Sequence, residues 1–263
     1  MPSTILLSPA TSSLRTLTLS RLQLDQDAPV CQVQTTGDEL LFYSLIGAVE
    51  LCDPMSNDME SWGLLGTRRK VTEPGVHIMR FPAGHPLAVD VCLRDFSADL
   101  LLVSVPGPAS TMPPLGQSGG SIWAHQVGDG THQREVREVL QPPGYAICCG
   151  ETFQMPGMIS SWPPHANAED LTKFRAGVTT WDEVFFCVCP SPGIAVLAGY
   201  YMKDMPVDEV IRLENGHAYQ MPLGSHMCYA APDSYLWYVW FYCGDALQKQ
   251  YRKYADDVGV YRK

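Results

Sequence analysis

ENGHAYQMPLGSHMCYAA, residues 214–231, reads as a glycine turn, a short extended run, a Pro-x-Gly break and a second short extended run. Pro222 cannot donate to a β-ladder and Gly224 tolerates backbone angles closed to other residues, so the pair ends one strand and opens the next. The same order occurs earlier as GVHIMRFPAGHPLAV, residues 75–89, with Gly75, Pro82 and Gly84 in the corresponding places. Pro82 and Gly84 precede Pro222 and Gly224 by the same interval (222 − 82 = 140). A repeat on that scale predicts two β-sandwich or barrel units made by duplication.

Outward from these two segments, the pattern stays extended. ELLFYSLIGAVEL from Glu39, DLLLVSVP from Asp99, YAICCGETFQMPG, WDEVFFCVCP, GIAVLAGYYMK and SYLWYVWFYCG are apolar or alternating runs bounded by Gly, Pro, Asn and Asp. Such runs argue for strands rather than helices. The stretch PGPASTMPPLGQSGGS, residues 106–121, suits a linker. The expected division is a first barrel over 1–112, a linker over 113–134 and a second barrel over 135–263. The tail DALQKQYRKYADD has helical composition and predicts a short C-terminal helix.

Composition narrows the function. The chain has 263 residues, 28 Asp plus Glu against 18 Lys plus Arg, and no basic run. A net charge of −10 repels phosphate backbones, so nucleic acid is excluded as a partner. No apolar stretch is long enough for a membrane helix, and MPSTILLSPATSSLR lacks a basic region before its apolar residues. Nine cysteines sit in apolar runs such as FFCVC and YAICC, where they read as small buried hydrophobes in a reducing cytoplasm.

The residues that can carry chemistry cluster in the second half. SSWPPHANAED supplies His165, WDEVFF supplies Glu183, and His226 follows Gly224 by two residues. Residues two apart on a strand share a face, so His165 and Asn167 point the same way, toward a place where Glu183 and His226 can meet them. Two imidazoles and a carboxylate form a metal triad. In the first half, His85 follows Gly84, but no His-x-His strand accompanies it, so that barrel reads as a scaffold without a metal site. Trp162, Tyr200, Tyr229, Tyr238 and Trp240 are aromatic candidates for a sugar pocket; Trp162 and Tyr229 are favoured because they flank the histidines.

Gly216, Pro222, Gly224 and His226 match Gly-x5-Pro-x-Gly-x-His, which resembles the second metal motif of the cupin superfamily. GETFQMPGMISSWPPH from Gly150, DEVFF and PLGSH together resemble the 5-deoxy-glucuronate isomerase family of bacterial myo-inositol catabolism, with the related 5-keto-4-deoxyuronate isomerases; GTHQREVREV from Gly130 adds to the likeness. The resemblance implies an all-β bicupin, two jelly-roll barrels of the RmlC type, whose C-terminal barrel holds a divalent metal (Zn, Mn or Fe) through His165, Asn167, Glu183 and His226. Where the family usually shows Pro-Pro-His-Lys-His-Asp, this chain reads Pro163-Pro164-His165-Ala166-Asn167-Ala168, so an amide stands in place of the second imidazole. An amide oxygen is a harder ligand, which shifts the preference from zinc toward Mn or Fe.

The function implied is a cytoplasmic aldose–ketose isomerase acting on a uronate-like sugar acid. A bound cation polarises a carbonyl and its neighbouring hydroxyl, and a base moves the proton between them. Candidate bases are Glu183, Asp182 and Asp170; a substrate carboxylate calls for an arginine fork, with Arg137 preferred over Arg134 and Arg175. Two other readings fit the same residues: a 2-His-1-carboxylate cupin oxygenase, and a metal-free sugar-binding or structural cupin. A homodimer is expected in any case.

Overall fold

The computed structural model describes residues 3–12, 14–55, 61–71, 73–84, 87–167, 181–189, 195–200, 209–221, 225–244 and 251–253, with the side chains of Thr67, 162–167, Trp181, 195–200, Glu209, Ser225, Gly244 and 251–253 left out. The chain forms two units, one from Met1–Trp123 with Val139–Cys148, the other from Ala124–Glu138 with Cys149–Lys263.

The first unit carries β1 (Ser3–Leu7), β2 (Thr18–Asp25), β3 (Val30–Thr35), β4 (Glu39–Cys52), β5 (Ser61–Arg68), β6 (His77–Phe81), β7 (Leu87–Leu93), β8 (Ser97–Val105) and β9 (Leu115–Ser118). Its strands run in the order β1-β2-β8-β4-β6-β9, with β5 and the β3–β7 pair attached to β4. Strand β4 makes this possible by changing partners. Its first half, Glu39 to Ile46, pairs with β8, and its second half, Gly47 to Cys52, pairs with β5. The bend falls at Gly47, whose φ is 77°, and a Cβ there would collide with the carbonyl oxygen of Ser97. Only glycine accepts both conditions. Gly47→Ala is expected to cost at least about 2 kcal/mol, read as a lower urea midpoint with an unchanged slope.

Alternation along the strands fills the interior with Leu22, Leu40, Phe42, Val49, Leu51, Phe81, Val91 and Leu100, among others. Phe81 meets Phe42 and Trp62 edge to face, at 5.7 and 5.6 Å between ring centres. The opposite face of the same strands is polar in one place. Glu39 and Arg80 lie there, the first 3% exposed and the second fully buried. Arg80 Nε donates to Gln117 Oε1 at 2.7 Å, and Nη1 donates to the Ile147 carbonyl at 2.6 Å while lying 3.7 Å from Glu39. Glu39 accepts from the Ala146 and Ile147 amides at 2.6 and 3.1 Å. This pair therefore pins the returning segment Val139–Cys148 to the first unit.

The second unit contains β11 (Arg134–Val139), β12 (Cys148–Gln154), β13 (Ile159–Asn167), β14 (Trp181–Val188), β15 (Ala195–Tyr200), β16 (Glu209–Leu213), β17 (Ala218–Gln220), β18 (Ser225–Ala230), β19 (Leu236–Gly244) and β20 (Tyr251–Lys253), preceded by β10 (Ile122–Val127). One sheet is ordered β10-β11-β12-β19-β14-β17 and the other β16-β15-β18-β13-β20. The neighbour order β12-β19-β14-β17 repeats β2-β8-β4-β6, and β13-β18-β15-β16 repeats β3-β7-β4-β5. The echoed segments fall on equivalent pairs: β6 and β17 end just before Pro82 and Pro222, and β7 and β18 follow the glycines. Pro222 and Gly224 themselves lie outside the described residues.

Two expectations are corrected. The span 113–134 carries β9, β10 and two short 3-10 turns, Gly119–Ser121 and Gly130–His132, instead of a plain linker. Gly119 and Gly130, with φ of 53° and 52°, let short strands turn within a stretch whose composition resembles a spacer. At the C-terminus, Tyr251–Lys253 is a strand paired with Ala166 and its neighbours, where composition predicted helix; the free edge of β13 outweighs a weak local propensity. The rest of DALQKQYRKYADD lies outside the described residues.

Candidate functional site

The site builds outward from β14. Glu183, Phe185 and Cys187 share one face, and Asp182, Val184 and Phe186 share the other. Phe185 fixes which face is which, because its ring meets the His226 ring edge to face at 5.8 Å and stacks on Tyr238 at 4.5 Å. Glu183, 8% exposed, and His226, 2% exposed, therefore face the space between the two sheets of the second unit. Asp182 points the opposite way, which removes it as a base for chemistry in that space. Asp170 lies outside the described residues.

Strand β18 places His226 and Cys228 inward and Met227 and Tyr229 outward, as their alternating burial shows. Tyr229 therefore does not line the same space as His226, although it stands only three residues away. Opposite, β13 pairs Ser160 with Cys228 and then His165 with His226. Five steps on β13 oppose two on β18 (165 − 160 = 5; 228 − 226 = 2), so three extra residues are looped out. Ser161 enters this bulge with a φ of 58°, and Pro163 and Pro164 cannot donate to a ladder. Without the bulge, position 165 would have the opposite parity to 160. With it, position 165 returns opposite 226, and directly paired positions share a face. The side chains of Trp162, His165 and Asn167 are outside the described set.

Strand β11 separates the arginines. Arg137 pairs across to Glu151, donating from Nη1 at 2.6 Å and from Nε to Glu135 at 2.5 Å. Val136 pairs with Thr152 on the other face, the face of Tyr238, whose hydroxyl hydrogen-bonds Thr152 and donates to Ser160 at 2.9 Å. Arg137 thus sits among two carboxylates, turned away from His226, so it does not serve as the fork expected for a substrate. Arg134, three residues earlier, has the inward parity. Thr152, Ser160 and Gln154 are polar residues of this interior that motif matching passes over, their signal being only alternation within β12 and β13; Tyr238, an aromatic candidate ranked behind Trp162 and Tyr229, joins them.

The sequence matches the KduI/IolB family over residues 3–258. The chain belongs to the KduI/IolB family. That family is one of uronate isomerases, 5-deoxy-glucuronate isomerase and 5-keto-4-deoxyuronate isomerase. No curated protein matches. Among solved structures, an IolB-like protein from Salmonella typhimurium LT2 is similar with a TM-score of 0.80 and 18% identity, over 96% of this chain and 93% of that one. A mutant of Bacillus subtilis oxalate decarboxylase is similar at 0.65 and 10%, over 95% and 74%. Lactobacillus farciminis oxalate decarboxylase, in a formate complex, is similar at 0.62 and 11%, over 93% and 83%. At such identities the likeness carries the fold, and the fold of this KduI/IolB member is the all-β bicupin that the family resemblance implied.

In this family member the interior donors Glu183 and His226 suit a divalent cation in kind, a carboxylate and an imidazole. Among the described residues no group of three His, Cys, Asp or Glu stands close enough to hold a metal, so a triad needs a donor from outside that set. Position 165 is the one the register supplies. The thiols nearby are poor ligands and nucleophiles. Burial pushes Cys228 up to about 12, helped by the charge of Glu183 and opposed by a bond to Ser160. Burial likewise raises Cys187, and Cys228 and Cys189 add to it. Native protein at about pH 8 is expected to leave Cys187 and Cys228 unalkylated by iodoacetamide, and unfolding to expose both; peptide mass mapping reads the difference. No helix among the described residues is long and apolar enough to cross a membrane.

Proposed function

We propose that the interior of the second unit is the active site of a metal-dependent aldose–ketose isomerase acting on a uronate-like sugar acid. The observation that carries this reading is the bulge in β13, which sets position 165 opposite His226 on the face that also bears Glu183. His165, Glu183 and His226 would hold the cation, with Asn167 as a fourth donor. When bound, it supplies Lewis-acid polarisation of a sugar carbonyl and the adjacent hydroxyl. With a carboxylate oxygen left free by the cation, Glu183 would take the proton from the hydroxyl-bearing carbon and return it to the former carbonyl carbon, while the hydroxyl proton passes to the former carbonyl oxygen. Tyr238, raised in pKa chiefly by burial, stays protonated; it donates to Ser160, and its oxygen is left to accept from a substrate hydroxyl. Phe185 excludes water beside the His226 ring.

The test is solvent deuterium incorporation into a panel of uronic and deoxyuronic acids, with Mn, Fe or Zn added in turn. Exchange into carbon-bound positions is expected with at least one pairing. Oxygen uptake with iron and no ketose product selects an oxygenase and sinks the isomerase reading. A related prediction concerns the departure at residue 167. Asn167→His is expected to tighten zinc binding by about tenfold or more, since imidazole is the better zinc ligand; an unchanged affinity means that residue 167 does not face the cation.

A further inference from the structure

The polar end of the second unit's interior holds an arrangement that the metal chemistry does not use. Gln154, on the inward face of β12, is fully buried. Its Nε2 donates to the Met158 carbonyl and to the Cys228 carbonyl, the second at 3.5 Å, which fixes the amide's orientation. Its Oε1 is buried and has no hydrogen-bond partner among the described residues. A buried acceptor without a donor costs about 1–3 kcal/mol, so the position favours whatever brings one. Arg134 lies beside it: the antiparallel register that sets Glu135 against Phe153 and Val136 against Thr152 carries position 134 opposite position 154. Arg134 is half-buried, and among the described residues its hydrogen bond is from Nη1 to the His132 carbonyl at 3.0 Å. The Gly130–His132 turn that precedes it packs against β13, the strand of His165. Its charge also reaches the Tyr238 hydroxyl, where it favours the ionised form.

The geometry points to a subsite in which Arg134 pairs with the carboxylate of the ligand and Gln154 Oε1 accepts from the hydroxyl next to it. Resting on the isomerase reading above, this names the end of the sugar acid that is held away from His226. The chemistry is specific on its own terms. A guanidinium whose other N–H groups have no partner among the described residues selects an anion, and a planar fork selects a carboxylate. An acceptor that no described residue satisfies selects a donor, and a phenol already donating to Ser160 leaves its oxygen for a second hydroxyl. A hydroxy-carboxylate meets all three demands; a simple anion or a neutral sugar meets only some.

Calorimetric titration with D-glucuronate and with D-glucuronamide, its neutral counterpart of the same shape, separates these contributions. The wild-type chain is expected to bind glucuronate at least about tenfold more tightly than the amide. Arg134→Gln is expected to abolish that preference while leaving amide affinity within about twofold, and Arg134→Lys to keep part of it. Gln154→Leu is expected to weaken both ligands by a similar factor, because each loses the same hydroxyl contact. No binding of either ligand, no preference in the wild type, or a preference that survives in both Arg134 variants overturns the assignment. These are equilibrium readouts, so they stand apart from the deuterium experiment: an Arg134-dependent preference without any exchange leaves the subsite in place and removes the isomerase.

Discussion

His226→Ala abolishes deuterium exchange into the sugar acid, by about a thousandfold or more, while the protein keeps its fold and melting temperature to within a few degrees. The size follows from the work assigned to the cation: stabilising charge on two oxygens contributes several kcal/mol to the barrier, and each ~1.4 kcal/mol is a factor of ten. His226 is the described imidazole that packs against Phe185 and faces the same space as Glu183. Tyr229→Phe serves as the control, because Tyr229 lies on the outward face of the same strand, and its exchange rate stays that of the wild type. Exchange that survives His226→Ala rejects the site; exchange lost equally in Tyr229→Phe means that the parity of β18 is misassigned.

The second large effect is on stability. Arg80→Met removes the cation from a fully buried position and leaves Glu39, 3% exposed, with the Ala146 and Ile147 amides. Breaking a buried pair from one side costs about 3–5 kcal/mol, since the remaining charge stays out of water. Urea denaturation is expected to show that loss, and Glu39→Gln combined with Arg80→Met to recover part of it, because the double variant buries no lone charge. A loss below about 1 kcal/mol contradicts the account of how Val139–Cys148 is held.

Glu39 also gives a signed pH dependence. Burial raises its pKa above the ordinary 4.5, against the lowering effect of the Ala146 and Ile147 amides and of Arg80. A carboxyl that binds its proton more tightly when folded contributes stability in full below the ordinary value and loses it as pH rises through the folded one. The stability difference between wild type and Glu39→Gln is therefore expected to shift in favour of the Gln variant as pH climbs above 4.5. A difference that is flat with pH means that Glu39 is not desolvated.

The residues that made the architecture legible are those with strong backbone constraints. Pro82 and Gly84 against Pro222 and Gly224 marked the same turn in both units, and the described strands on either side of each turn occupy matching places in the two sheets. What composition misread were places decided by tertiary pairing. The Gly- and Pro-rich stretch before Gln117 donates a strand to β6, and part of the Lys-rich tail adds to the edge of β13. In both, local propensity favoured a spacer or a helix, and an available ladder outweighed it.

The residue types of the candidate site could be picked out from the sequence, but not their orientation. Motif spacing singled out Glu183 and His226, and both face inward. Parity then divided their neighbours. Asp182, next to Glu183, and Tyr229, three residues after His226, turn away; Arg137 is neutralised by Glu135 and Glu151, while Arg134 has the inward position. A shift of one residue reverses the face of a strand, so proximity in sequence says little about which side chains meet. The bulge at Ser161–Pro164 is the sharpest case, because an odd number of extra residues is what returns position 165 to the face of position 226. Two consecutive prolines hinted at an interrupted ladder, but not at its length.

Anomalous diffraction from a crystal grown with zinc or manganese tests the convergence of these groups most directly. The prediction is one cation between the sheets of the second unit, with an imidazole nitrogen of His165, one of His226 and a carboxylate oxygen of Glu183 each within about 2.0–2.2 Å. A cation bound elsewhere, or clear density for those three side chains with no cation among them at millimolar metal, contradicts the assignment.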